Sequence, residues 1–431
     1  MKIRSVSPGV ALAVLAIGGF AVGTTEFASM GLLPRFAADL GVSVPHAGSA
    51  ISAYALGVVV GAPLLAILGA RWPRKRLVLV LAGALAVTNA SSALAPTFDM
   101  LLVTRFASGL PHGAYFGTAA VLGASLLPHA QRARAVATTL SGLMVANIAG
   151  VPLATWLGQV IGWQAAYLAV GAIALVTVVA IALVVPDVRE QRPRSIRGEL
   201  SALRRPQVWL TSLVIASGFG GTFAMFSYIT PTLTRVSGFA ESTVPVLLAL
   251  FGVGMTIGNF VGGRLAERAP TRTIAAGMLA ASLCLFGFAL SAHIAPLAVG
   301  VLAVMAICGM VSSPALNTRL MDAAPDGPTL GAALHHSAFN VANALGAAIG
   351  GAVLGAGLGW TAPAAVGGVI PLVGLVALAV AVAVERRGAR RQDGRDGPSP
   401  HQADPDTEAS LSAVSSSGSN FRSSDGRISR S

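Results

Sequence analysis

The chain has 431 residues, of which 54% are hydrophobic and only 11% are charged. Soluble globular domains carry roughly 25% charged residues, so this composition excludes the soluble class and indicates a membrane protein. The net charge of +12 does not indicate nucleic-acid binding, because the basic residues form short clusters between long apolar runs, without interleaved aromatic residues.

Apolar runs follow one another along the chain with short polar gaps, and each is near the length of about 20 residues that a membrane helix needs. We therefore predict an all-α membrane protein with twelve transmembrane helices in two pseudo-symmetric six-helix bundles. The predicted spans are 9–33, 48–69, 77–95, 99–123, 135–158, 163–185, 208–233, 243–266, 273–292, 295–318, 329–356 and 361–384.

The longest internal polar stretch, residues 186–207, divides these spans six and six. We interpret it as a cytoplasmic linker between an N-terminal bundle, 1–185, and a C-terminal bundle, 208–385. Residues 386–431 are rich in Ser, Gly, Asp and Arg, a composition that predicts a disordered cytoplasmic tail.

The two halves share residues at a constant spacing of 197 positions. Parallel repeats of six helices are typical of transporters whose site lies between the halves. We therefore predict a central cavity lined by helices one, four, seven and ten, with parts of five and eleven. The residues Gly23, Pro34, Gly41, Gly57, Gly61, Leu68, Arg71 and Pro73 recur as Gly220, Pro231, Gly238, Gly254, Gly258, Leu265, Arg268 and Pro270.

Basic residues are distributed unevenly between the two sides of the predicted bundle. Of the 29 Lys and Arg residues, 26 fall on the side of the termini and only Arg35 and Arg235 on the other, while Arg105 lies within a span. Loops rich in Lys and Arg stay cytoplasmic. The sequence thus predicts a multi-pass protein of the cell (inner or plasma) membrane with both termini cytoplasmic.

Few ionisable residues fall within the predicted spans, and such residues are expensive in a membrane and usually functional. Glu26 in helix one and Arg105 in helix four lie at similar depth, so an ion pair or a close approach is possible. His112 follows Arg105 by two turns, on the same face of the helix. We interpret the three as a proton-coupling set, with a static ion pair that only fixes helix packing as the alternative.

The predicted substrate cavity draws on aromatic, histidine and amide side chains. Asparagines at membrane depth either join helices by hydrogen bonds or contact the substrate. Because Cys284 and Cys308 lie inside apolar runs without ligand spacing, no metal and no cofactor is expected. The candidate cavity residues are Phe27, Tyr115, Asn147, Phe226, Tyr228, His335 and Asn340.

Seven stretches carry a resemblance to a known family. Together they resemble the drug–proton antiporter branch of the major facilitator superfamily, and within it the arabinose-efflux-permease-like and chloramphenicol-efflux-like proteins, over residues 8–385. The stretches are GTTEF at 23–27, YALGVVVGAP at 54–63, RFASGLPHGAYFG at 105–117, GVPLATWLGQ at 150–159, FSYITP at 226–231, GVGMTIGN at 252–259 and SAFNVANALGA at 337–347.

The resemblance assigns roles to residues in helices four and five. It implies that Arg105 with Gly109 and Gly113 forms the helix-four motif tied to proton coupling. It also implies that Gly150 and Pro152 form the helix-five antiporter motif, where small residues allow close packing and proline allows a bend.

The loop motif between helices two and three departs from the family pattern. Arg71 and Arg74 match it, but Ala70 replaces the usual acid. The second copy of the motif keeps an acid at Glu267 beside Arg268. The usual gating contact between the halves is therefore in doubt at the first loop, whereas the fold is not.

These patterns predict a secondary active transporter that exports a small drug-like or sugar-like molecule in exchange for protons, by alternating access, as a monomer in the lipid bilayer. The alternative is a sugar or metabolite uptake carrier or facilitator of the same fold, although the few Gln residues lie mainly in loops and the tail. An enzyme is not expected, because the predicted helices contain neither a spaced His/Glu metal motif nor a Ser/His/Asp set.

The charge asymmetry gives a testable topology. Reporter fusions after residues 45, 97 and 160 are expected to report an external location, because each of these positions lies in a connection opposite the basic segments. Internal signals at any two of these positions would overturn the topology.

Overall fold

A computed structural model describes residues 7–187, 202–324 and 328–393. These residues form twelve long helices and no strand, which confirms the predicted fold class. Eleven of the helices are long and apolar enough to cross a membrane. The twelfth, Phe98–Ser125, carries Asp99, Arg105 and His112, and these polar residues lower its hydropathy.

Each of the first six helices runs antiparallel to the one before it in the chain. We number the long helices α1 to α12. The first repeat consists of α1 Pro8–Asp39, α2 Ser49–Leu68, α3 Arg74–Ala93, α4 Phe98–Ser125, α5 Arg132–Val145 continued by a π-helical turn Ala146–Gly150 and by Val151–Val160, and α6 Trp163–Val184.

The second repeat has the same order, and two of its helices are interrupted. It consists of α7 Pro206–Phe226 continued by Ile229–Arg235, α8 Val244–Arg268, α9 Pro270–Ser291, α10 Ala295–Val311 continued by Ser313–Ala323, α11 Pro328–Gly355 and α12 Ala362–Asp393. We call the end at which α6 ends and α7 begins the linker end, and the opposite end the far end.

The predicted repeat is visible in matching turns. Gly41 follows α1 and Gly238 follows α7, and both adopt a positive φ, of 66° and 75°. Glycine adopts this left-handed conformation without the steric penalty that a Cβ imposes. The 197-residue spacing therefore places a helix-ending glycine after the first helix of each repeat.

Helices within a repeat pack through small residues. A Cβ on Gly109 of α4 would meet the carbonyl oxygen of Tyr54 and the Cα of Gly57 on α2. In the second repeat, Gly258 of α8 lies equally close to the backbone of Ile307 on α10. Membrane helices gain packing energy from such close approach, because no hydrophobic force drives their association in lipid.

The two repeats meet mainly along three pairs of helices, which are α2 with α11, α5 with α8, and α1 with α7, and α4 also contacts α11. Ser52 of α2 donates a hydrogen bond to the carbonyl oxygen of Ala344 on α11 at 2.9 Å. Gly252 of α8 lies against the carbonyl oxygen of Asn147 in the π-helical turn of α5. These contacts enclose the space in which the candidate site lies.

Two details differ from the sequence expectation. The first helix was expected to end near Pro34, but α1 continues to Asp39. A membrane helix can continue past a proline because neighbouring helices and side chains satisfy the backbone groups that the proline leaves unpaired. Helix five is not continuous α-helix: Pro152 lacks an amide hydrogen, and the five residues before Val151 form the π-helical turn.

The domain boundaries stay a prediction. Residues up to Val382 form one compact unit, and residues 383–393 continue α12. Most of the predicted linker, 188–201, and of the predicted tail, 394–431, lies outside the described residues.

The contact between α2 and α4 can be tested with a matched pair of alanine substitutions. Gly109→Ala is expected to lower the free energy of unfolding by about 1–3 kcal/mol, because the added methyl overpacks a backbone contact. Gly117→Ala, on the same helix with nothing within 4 Å of the added Cβ, is the control. Thermal melting in detergent should separate the two variants, and equal melting temperatures would contradict this packing.

Candidate functional site

Glu26 of α1 is buried, with 3% exposure, at the contact between the two repeats. The side-chain amide of Asn340 on α11 lies near it and donates to the carbonyl oxygen of His336 at 3.1 Å. Nε2 of His112 on α4 lies 3.9 Å from Oε2 of Glu26. The other carboxyl oxygen, Oε1, has no hydrogen-bond partner among the described residues. The carboxyl group thus touches both repeats and is incompletely hydrogen-bonded.

Arg105 of α4 is fully buried and bonds to the residue that precedes Glu26. Its guanidinium donates to the hydroxyl and the carbonyl oxygen of Thr25, at 2.9 Å and 2.8 Å. It also lies over the rings of Tyr54 and Tyr167, 4.4 Å and 5.0 Å from their centroids. Cation–π contacts of this kind stabilise a desolvated guanidinium.

The possible ion pair between Arg105 and Glu26 is therefore not formed as a direct contact. Successive helical residues point about 100° apart, and Thr25 is the one that faces Arg105. The Thr25 hydroxyl in turn donates to Oδ1 of Asn89 on α3, at 2.5 Å. Arg105 acts on Glu26 through space, and a hydrogen-bond network across three helices holds it in place.

His112 is oriented by three aromatic neighbours. Nδ1 is hydrogen-bonded to the Tyr54 hydroxyl at 2.9 Å. The ring lies 5.3 Å from that of Phe116 and 5.8 Å from that of His336 on α11. His112, Arg105 and Glu26 do lie together as expected, and the side chain of His336 joins them from the other repeat.

An aromatic pocket lies beside this polar cluster. Its rings are in contact: Phe27 lies 6.3 Å from Phe223, and Phe223 lies 5.0 Å from Phe339. Its lining is almost entirely apolar, apart from Thr222, whose Oγ1 has no hydrogen-bond partner among the described residues. The lining residues are Phe27, Phe219, Thr222, Phe223, Phe226, Phe251, Met255, Met305, Ala306, Gly309, Met310 and Phe339.

The predicted cavity residues fall into separate places. Phe27 and Phe226 line the aromatic pocket. Asn340 and His335 lie on α11 near Glu26 and His336.

The other three predicted cavity residues contact the backbone of neighbouring helices. Tyr115 packs inside the first repeat, where its hydroxyl donates to the carbonyl oxygen of Leu15. Asn147 is part of the π-helical turn. Tyr228 lies at the break in α7, and its hydroxyl donates to the carbonyl oxygen of Ala347 on α11 at 2.8 Å. Their roles in substrate binding stay predictions.

The predicted gating and hinge residues lie partly beside the cluster. Gly113 faces α2 and α11, since a Cβ there would meet Ala62 and lie 3.6 Å from Cβ of His336. Gly150 closes the π-helical turn, and a Cβ there would meet the hydroxyl of Thr24 on α1. Pro152 is buried just after that turn.

The charged loop residues of the predicted gate are all at the linker end. Arg71 is exposed in the turn after α2, and Arg74 begins α3. Glu267 and Arg268 are exposed at the end of α8. Their gating role stays a prediction.

Sequence reasoning missed Thr25, Asn89, Tyr54 and Tyr167 as members of the site. Each is uncharged and lies within an apolar run, so composition gave no signal for it. The one signal for them is Arg105 itself, because a buried arginine needs several acceptors or aromatic faces around it.

A duplicated twelve-helix bundle with an ionisable group buried between its repeats is characteristic of secondary membrane transporters. The chain belongs to the Major Facilitator Superfamily, whose sequence profile matches residues 15–333. Members of this family are transporters, not enzymes, which agrees with the sequence expectation.

Individual relatives agree with this assignment. The inner membrane transport protein YdhP of Escherichia coli O157:H7 is 38% identical over 88% of this chain and 96% of its own length. A chloramphenicol resistance protein of Streptomyces lividans is 34% identical over 85% and 94%. A crystal structure of a bacterial homologue of the human lysosomal transporter Spinster shares the fold, with a TM-score of 0.62 at 18% identity, over 87% of this chain and 95% of that one.

Proposed function

We propose that this transporter exports a small, largely apolar molecule from the cell in exchange for protons, acting as a monomer in the cell membrane with both termini cytoplasmic. The observation that carries the proposal is the position of Glu26, a buried carboxyl group in contact with both repeats. The uneven distribution of basic residues supports the orientation.

The physical chemistry of that position supports proton coupling. An ionised carboxylate at membrane depth is costly unless it is fully hydrogen-bonded, and Oε1 lacks a partner among the described residues. Closed packing of the repeats around Glu26 therefore favours its neutral, protonated form. A state in which the repeats part and water reaches the carboxyl would favour release of the proton, so that proton binding and alternating access are linked.

The aromatic pocket supports an apolar substrate. Each sugar hydroxyl left without a partner would cost about 1–3 kcal/mol, and of the lining residues Thr222 alone has a polar side chain. Phenyl faces and methionine sulfur atoms instead suit flat or apolar groups. The Streptomyces lividans relative, named for chloramphenicol resistance, is in keeping with such a substrate.

The alternative, a sugar or metabolite carrier, has one observation in its favour. Both polar side-chain atoms of Asn343 on α11 lack hydrogen-bond partners among the described residues, and a polar ligand could satisfy them. The sugar alternative would require the ligand to occupy this polar region rather than the aromatic pocket.

The substrate class can be tested by ligand binding to purified protein. Phe223→Ala is expected to weaken binding of an apolar aromatic probe such as chloramphenicol by roughly tenfold or more, because loss of a stacked ring removes about 1.5–3 kcal/mol of apolar contact. Phe260→Ala removes a ring that is 57% exposed on the outer surface and is the control. Stabilisation by pentoses but not by the aromatic probe would favour the alternative.

Proton coupling can be tested with Glu26→Gln, which keeps the shape of the side chain and removes the titratable group. The variant is expected to fold and to bind or exchange substrate, but to lose efflux driven by a pH gradient in proteoliposomes. Glu241→Gln, at an exposed far-end carboxylate paired with Arg35 at 2.5 Å, is the control. Normal pumping by Glu26→Gln would show that Glu26 has only a structural role.

A further inference from the structure

Four ionisable side chains form a continuous series that begins at Glu26 and crosses from one repeat to the other. Nε2 of His112 lies 3.9 Å from the Glu26 carboxyl. The ring of His112 lies 5.8 Å from that of His336, which lies 6.0 Å from that of His335. The last two residues belong to α11 of the second repeat.

The two histidines of α11 are more exposed than the other two members of this series. Glu26 and His112 are buried, with side-chain exposures of 3% and 1%, whereas His336 and His335 are partly exposed. Because α11 begins at Pro328, these two histidines lie about 10–12 Å from the linker end, at a rise of 1.5 Å per residue. In the other direction along α1, Met30, Leu33 and Phe36 are completely buried and apolar.

We infer that His336 is the group through which Glu26 exchanges protons with the linker end, by way of His112; this inference rests on the proposed function. Export in exchange for protons requires release at the linker end: the proton leaves Oε2 of Glu26, is taken up at Nε2 of His112 and passes to His336, which releases it. Both histidines return to the neutral form and Glu26 becomes a carboxylate. The 3.9 Å gap exceeds a direct hydrogen bond, so a small shift or one bridging water completes the transfer.

Packing holds His336 in this position. Its ring stacks on Phe116 of α4, with centroids 5.4 Å apart and planes within 6°. Gly113 of α4 lies beside it, because a Cβ at this position would be in ordinary contact, at 3.6 Å, with Cβ of His336. An apolar stacking partner orients the ring without occupying its nitrogen atoms.

The relay would operate only while the repeats are in contact. Glu26 and His112 belong to the first repeat, and His336 to the second. Among the residues that the structure describes, the ionisable groups that face the relay are Tyr54 of α2, Arg105 of α4 and His335 of α11. Movement of α11 away from α4 would separate the rings of His112 and His336, and would disconnect Glu26 from the linker end.

The relay is tested by proton flux in proteoliposomes containing the full chain and a pH-sensitive dye. His336→Gln is expected to lower substrate-driven proton flux by roughly tenfold or more, the range that a proton-transfer group contributes, while substrate–substrate exchange stays within about twofold. Imidazole on the linker side is expected to restore flux to His336→Ala. His293→Gln, in the exposed far-end turn after α9, is the control.

The outcomes are distinguishable. Full proton flux in His336→Gln, when Glu26→Gln has none, overturns the relay and leaves the proposed function standing. Full flux in both variants overturns both. Parallel loss of flux and exchange in His336→Gln without rescue by imidazole indicates a structural role and also overturns the relay. If His336→Gln fails to fold, His336→Asn replaces it under the same criteria.

Discussion

The burial of one carboxyl group between two helical repeats is the constraint on which the rest of the site depends. At membrane depth Glu26 must be protonated or surrounded by hydrogen-bonding groups. The structure supplies His112 from its own repeat and Asn340 from the other. Arg105, whose positive charge would otherwise form a static pair with the carboxylate, bonds to Thr25 instead. Under the proposed function, the carboxyl could therefore change its protonation state without breaking an ion pair with Arg105.

Three consecutive residues of α1 serve three environments. Thr25 holds Arg105, Glu26 faces the polar cluster between the repeats, and Phe27 lines the aromatic pocket. A rotation of about 100° per residue separates the three side chains, yet one turn of helix joins them rigidly. Under the proposed function, a movement of this turn on substrate entry into the pocket would also move Glu26 and would link substrate binding to proton binding.

Small residues make this assembly possible. Gly109 and Gly113 both let α4 approach α2, and His336 of α11 packs against the same part of α4, so that side chains from three helices reach one point. The π-helical turn before Pro152 places the Asn147 carbonyl against Gly252 of the other repeat. π-helical turns inside helices are frequent at functional sites, and this one lies on a contact between the two repeats.

The sequence by itself determined the helix count, the duplication and the few ionisable residues at membrane depth, because lipid imposes a long apolar run on each span and makes every buried charge conspicuous. It did not reveal the break in α7, the extension of α1 beyond Pro34, or the uncharged partners Thr25, Asn89, Tyr54 and Tyr167. Hydrogen bonding between distant helices depends on side-chain direction and register, which apolar composition does not encode. Only the tertiary structure decided that Arg105 bonds to Thr25 rather than to Glu26, and that His336 lies beside His112, because both contacts join residues far apart in the chain.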